Sequence, residues 1–278
     1  MFHKLRRMFS TAVVAGSVAF SPLIVQAADR ADVQEFLEVT GFDVALDSIA
    51  VGAESAPSML GLEDNAFGQT WSNLVKEVFI VEDMQTQALD ILEETLDQRL
   101  LDHAVAFYGS DLGKRLVQAE NLSHMDDDEL KQIAGEQLLA FYEAKEDPRP
   151  EYFVRMGAAI DPENIGLRAL QTIQVRFILA ASRAGVIAQD IDEEALWANI
   201  RANEAEVLAA IEEGAKASAA YTYQDFTSEE VLAYAEALEH PDMQLVYELM
   251  NAVHYQVMGN RFEALALRLG ELQPSQDL

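Results

Sequence analysis

Apolar residues recur every three to four positions along most of this chain, and no stretch sustains alternation of apolar and polar residues. That pattern restricts the fold more than any other feature. A 3.6-residue period lays one apolar stripe along a helix, whereas a half-buried strand needs period two. Leu74, Val78 and Val81 form one stripe. Leu101, Val105, Tyr108, Leu112 and Leu116 form a second, across a break, and Ile165, Ala169, Ile173 and Phe177 form a third. The hairpin dipeptides Asn-Gly and Asp-Gly are absent. The expected fold is all-α, a multi-helix array of about ten helices of about 8–22 residues.

Helix ends are marked by cap chemistry. Asp126-x-x-Glu129 and Thr227-x-x-Glu230 read as capping boxes, in which side chain and backbone satisfy each other's early donors. Asp161 before Pro162, and His240 before Pro241, place a cap ahead of a proline at the first helical position. Gly41 reads as a helix stop. The run Glu146-Asp147-Pro148-Arg149-Pro150-Glu151 is the clearest break, because two prolines favour extended backbone before them. It divides the chain into helical halves at 28–147 and 151–271, followed by a frayed tail at 272–278. A shift of 130 residues lays Leu101, Ala104, Val105, Tyr108 and Leu116 over Val231, Tyr234, Ala235, Leu238 and Val246. The halves then read as divergent repeats, although only the apolar pattern supports that register, and any two amphipathic helices can share it.

The first 27 residues read as an export signal. Lys4, Arg6 and Arg7 precede an uncharged apolar stretch from Thr11 to Val25, and Val25-Gln26-Ala27 supplies a cleavage site after Ala27. The stretch is shorter than the ~20 residues of a membrane span, and Pro22 interrupts it. Arg6-Arg7-Met8-Phe9 resembles a twin-arginine signal, from which Leu5 and Ser10 depart. The expected location is the periplasm, with Ala28 as the mature N-terminus.

Removing the signal takes three basic residues and no acidic one, so the formal charge goes from −29 to −32. Such a field repels phosphate backbones and anionic lipid, so neither nucleic acid nor an anionic membrane surface is an expected partner. The chain has no Cys, which excludes disulfides, thiol nucleophiles and thiolate metal sites.

The segment Phe107-Tyr108-Gly109-Ser110-Asp111-Leu112-Gly113-Lys114-Arg115-Leu116 resembles the signature of domain-of-unknown-function family 2059. The resemblance spans roughly Ala66 to Ala119 and implies a helical domain of a bacterial envelope protein, with no assigned activity. Asp111 stands where the family pattern carries proline, and Leu238-Glu239-His240-Pro241-Asp242 is a weaker echo of the same pattern. Read from the residues alone, the segment is a helix corner. Ser110 caps the second helix. Phe107 and Tyr108 pack beneath the corner, where Phe107→Ala should cost several kcal/mol and Tyr108→Phe little if its hydroxyl meets water. Gly113 admits a close neighbour, and Lys114 and Arg115 lay their stems over apolar surface.

Three other constellations have a chemical and a structural reading. Met243, Tyr247, Met250, His254 and Met258 share a helix face and could bind copper or haem, but read first as core. His124-Met125-Asp126-Asp127-Asp128 holds ligand types that point in different directions on a helix, so capping is the better account. Arg168, Arg176 and Arg183 could clamp an anion, but more often such residues pair with local carboxylates. Hydrolase, zincin and nucleotide-binding motifs are absent. No catalytic residue, metal ligand or cofactor is therefore assigned. The expected function is a non-enzymatic binding or interaction module for a protein or small ligand. The alternatives are a hydrolase using carboxylates and a metal or haem carrier using the Met/His face. Convergent His, Asp and Glu in one concave pocket would favour an enzyme.

Overall fold

The computed structural model describes residues 28–60, 68–187 and 191–271. The expected signal peptide and frayed tail lie outside the described residues. Within them the chain forms thirteen α-helices and one 3-10 segment, and no strand. The first half holds α1 (Arg30–Thr40), α2 (Phe42–Gly52), the 3-10 segment Ala53–Leu60, α3 (Gln69–Val78), α4 (Val81–Thr95), α5 (Gln98–Tyr108), α6 (Asp111–Met125) and α7 (Asp128–Ala144). The second holds α8 (Arg149–Ile160), α9 (Ile165–Arg183), α10 (Glu193–Ala202), α11 (Glu204–Thr222), α12 (Ser228–Leu238) and α13 (Pro241–Glu271). The all-α expectation holds. There are more helices than expected, and α13 runs for 31 residues, beyond the expected range.

The extra helices come from sharp corners that leave little sequence between elements. Gly41, at φ 76°, ends α1 and starts α2 in a single residue. Its left-handed backbone suits glycine, and an added Cβ would also meet Asn121 Oδ1 at 2.5 Å. Asp97 caps α5 by accepting from the Arg99 amide at 2.7 Å. The Thr227–Glu230 capping box forms in both directions. Pro241 opens α13, as its position predicted.

Two cap readings and the break shift. Asp127, not Asp126, caps α7, accepting from the Leu130 amide at 2.9 Å. Asp126 lies one residue outside and accepts from the Tyr221 hydroxyl instead. Pro162 precedes α9 without joining it: the Asp161 carboxylate bonds the amides of Ile165 and Gly166 across the loop, so the helix starts at Ile165. At the expected break, Pro148 takes right-handed helical angles and Pro150 lies in the first turn of α8. The reversal is made by Glu146, at φ 55°, and Asp147 is gripped by Arg149.

The core runs across the 147–151 junction. α7 lies along α11, and α13 packs on α9 but also on α3, α4 and α5. The two backbones approach closely at Gly135, where an added Cβ would overlap the backbone of Ala217. The helix contacted on most sides is α13, which touches seven other helices among the described residues and buries residues along its whole length. The helix–corner–helix unit recurs in register, since α5 and α12 start 130 residues apart and so do α6 and α13.

Candidate functional site

The sequence motif forms the corner between α5 and α6. Ser110 Oγ accepts from the Gly113 amide at 3.0 Å, the cap its position predicted. Gly113 is needed there because a Cβ would overlap Phe107 O and the Tyr108 backbone. Lys114 is exposed. The two aromatics divide their roles differently from expectation. Phe107 is half-buried and stacks on Tyr234 at 5.8 Å. Tyr108 is the fully buried member, and its hydroxyl points inward rather than to water.

That hydroxyl belongs to a cluster which spans both halves. Tyr108 on α5 meets Tyr247 on α13 at 2.5 Å and Tyr234 on α12 at 3.1 Å. Tyr234 donates to Glu120 Oε1 on α6 at 2.8 Å, and Tyr223, at the end of α11, donates to the same oxygen at 2.7 Å. The proton order Tyr247 to Tyr108 to Tyr234 to Glu120 satisfies every donor and turns each hydroxyl dipole toward the carboxylate. Loss of solvent outweighs these donors and raises the Glu120 carboxyl to about 7. Burial raises the phenols of Tyr108, Tyr223 and Tyr234, so they remain neutral donors. Tyr108→Phe is therefore expected to cost about 1–3 kcal/mol, since it leaves buried hydroxyls short of a partner. Urea denaturation of the variant checks this, and a wild-type midpoint would contradict it.

Glu120 lies on the wall of a cavity of about 410 Å3 between the halves. Phe42, Phe153, Met156 and Ile160 give it apolar surface. Asn121, His124, Lys131, Asn251 and His254 add polar groups. Asn121 Oδ1 is buried and accepts no hydrogen bond among the described residues. Burial, aided by nearby His124, lowers His254 to about 4, so its ring is neutral at pH 7. Glu120 is the one carboxylate among the lining residues.

The remaining candidates do not assemble a site. Met243 and Met250 are core residues, and of the Met/His face only Tyr247 and His254 reach the cavity. The acidic run disperses: Asp126 holds Tyr221, Asp127 caps α7, and Asp128 pairs with Lys131. Arg176 pairs with Glu263, and Arg168 and Arg183 are exposed. Glu120 had a readable signal, because it falls four residues after Leu116 on the buried face of α6. Its tyrosine partners, Tyr223 and Tyr234, come from two other helices and had none.

The fold and cavity define a class: a helical bundle with a partly open, partly polar cavity. The family model described as an uncharacterized protein conserved in bacteria, DUF2059, matches residues 82–142. This bears out the family resemblance of the corner motif, with a match that starts later and runs further than the motif suggested, through α7. No curated protein and no solved structure matches the chain. No helix among the described residues is long and apolar enough to cross a membrane.

Proposed function

We propose that this is an exported bacterial binding protein that holds a small organic molecule bearing a hydrogen-bond donor in the cavity beside Glu120. The observation that carries this reading is the cavity itself. Its volume falls in the usual range for small-molecule sites, and apolar walls surround a few fixed polar groups. Those groups favour a donor. Both tyrosine bonds fall on Oε1 of Glu120, which leaves Oε2 free of them, and Asn121 Oδ1 accepts no hydrogen bond among the described residues. Export rests on residues 1–27. Ala28, after the proposed cut, is buried and its N–H donates to Leu96 O, a bond that a free amino group retains.

A second reading has one observation in its favour. A carboxyl near 7 can exchange protons at neutral pH and could serve as a general acid or base. The cavity lacks the second carboxylate that a paired-carboxylate hydrolase requires, so binding is preferred.

Gly157 offers a clean test. It lines the cavity, and an added Cβ there meets nothing within 4 Å. Gly157→Leu should fill space without disturbing the fold. Mass spectrometry of mature protein from the native periplasm should find a small molecule with wild type and lose it with Gly157→Leu, at similar melting temperatures. Retention of the molecule by the plugged variant, or no molecule with wild type, would count against the cavity. N-terminal sequencing of the same material should begin at Ala28; a start at Met1 would overturn export with cleavage.

A further inference from the structure

A second cluster lies outside the cavity, where the motif helix meets the start of the long helix. We propose that His103, His240 and Asp242 form a binding site for a divalent cation of the zinc class. His103 lies on α5, His240 in the turn before α13, and Asp242 in the first turn of α13. One ligand atom from each residue lies within 4.8 Å of the others. The imidazole rings face each other at 4.3 Å with an interplanar angle of 26°.

The donor set selects the ion. Two imidazole nitrogens and one carboxylate oxygen suit Zn2+, Co2+, Ni2+ or Cu2+, whereas Ca2+ and Mg2+ prefer oxygen throughout. Three protein ligands leave a fourth tetrahedral position for water. The ligands are held in place by local bonds. Without metal the Asp242 amide donates to His240 Nδ1 at 3.2 Å, so the neutral ring carries its proton on Nε2, and a metal on either nitrogen takes the place of this long bond. The Asp242 carboxylate pairs with Arg99, a mostly exposed side chain that can swing into solvent. Arg99 thus holds the position of positive charge that a metal ion would take. The positive end of the α13 dipole opposes a cation here, and the Asp242 carboxylate offsets it. The strongly acidic chain raises the local concentration of cations.

A bound ion would tie α5 of the first half to α13 of the second. The site lies one and a half turns from the hydroxyl cluster on each helix, since Tyr108 follows His103 by five residues and Tyr247 follows Asp242 by five. Its role is a clamp on the seam between the halves, separate from the cavity ligand.

The test uses the full mature chain stripped with chelator and titrated with Co2+ and with Zn2+. One ion per chain is expected, with the visible absorption of nitrogen-ligated Co2+ and a higher melting temperature with Zn2+. His103→Ala and His240→Ala should each weaken binding at least about 10-fold, and Arg99→Ala should tighten it by removing the competing cation. In the wild-type chain Zn2+ should shift the ring NMR signals of His103 and His240 and leave those of His254 in place. That measurement stands even where a variant folds poorly. Absence of binding, equal affinity in the double His variant, or Zn2+ shifts confined to other histidines would overturn the site.

Discussion

Phe177→Ala should lower the unfolding free energy by about 3–5 kcal/mol, because a large ring leaves a cavity that the surrounding helices cannot collapse to fill. Phe177 on α9 is 0% exposed. Its ring meets Phe262 of α13 edge-on at 5.5 Å, and Phe262 meets Phe79, just after α3, at 5.4 Å. The three rings form one contact line from the second half into the first. Loss of the first ring loosens the other two, so the effect should sit at the upper end of that range. Urea denaturation gives the value, and a change below about 1 kcal/mol would place the ring outside the cooperative core.

The second large effect is a pair of opposed pH dependences. Glu120 binds its proton more tightly when folded, with its pKa raised from 4.5 to about 7. Between those values the folded protein holds a proton that the unfolded chain has lost. Stability from this group therefore falls as pH rises, by on the order of 3 kcal/mol in total, and levels off above about 7. His254 does the reverse. Its folded pKa is lowered from 6.5 to about 4, so between those values the unfolded chain holds the extra proton. Stability from His254 rises with pH by a similar amount. The two slopes nearly cancel from about pH 4.5 to 6.5 in wild type. Glu120→Gln should therefore gain stability relative to wild type as pH rises through that window, and His254→Asn should lose it. The groups that face the pair share in this: the phenols around Glu120 stay neutral, and burial also lowers His124 beside His254. Denaturation midpoints for the three proteins across pH 4–8 decide it. Parallel profiles would show that neither group is desolvated in solution.

Much of the architecture was legible because it is local. Helical period, the Thr227 capping box, the Ser110 cap and the Gly41 stop depend on residues within four positions of one another, and each forms as the sequence implied. Misreadings arose where two local solutions compete. Asp126 and Asp127 can each cap α7; Asp127 does so, and Asp126 instead accepts from Tyr221, 95 residues away. The same limit hid the site. A Glu on the apolar face of α6 was visible at position 120, but the tyrosines that meet it come from the end of α11 and from α12, and Tyr247 of α13 joins through Tyr234. Nor did composition separate His103 and His240 from ordinary surface histidines; only the approach of α5 to α13 does so.

The place of α13 in the chain has a consequence for how the molecule comes to be folded. Its distal turns reach back to the start: Arg261 donates to Val78 O and Arg268 to Glu77, contacts 183 and 191 residues apart in sequence. The helices of the first half can form early, but their shared core lacks a wall until residues 241–271 have been synthesised. Contacts of such separation slow folding, because a long loop must be closed before its contacts are gained. A nascent chain therefore lacks part of its core for most of its synthesis. Folding finishes only once the last helix has been delivered.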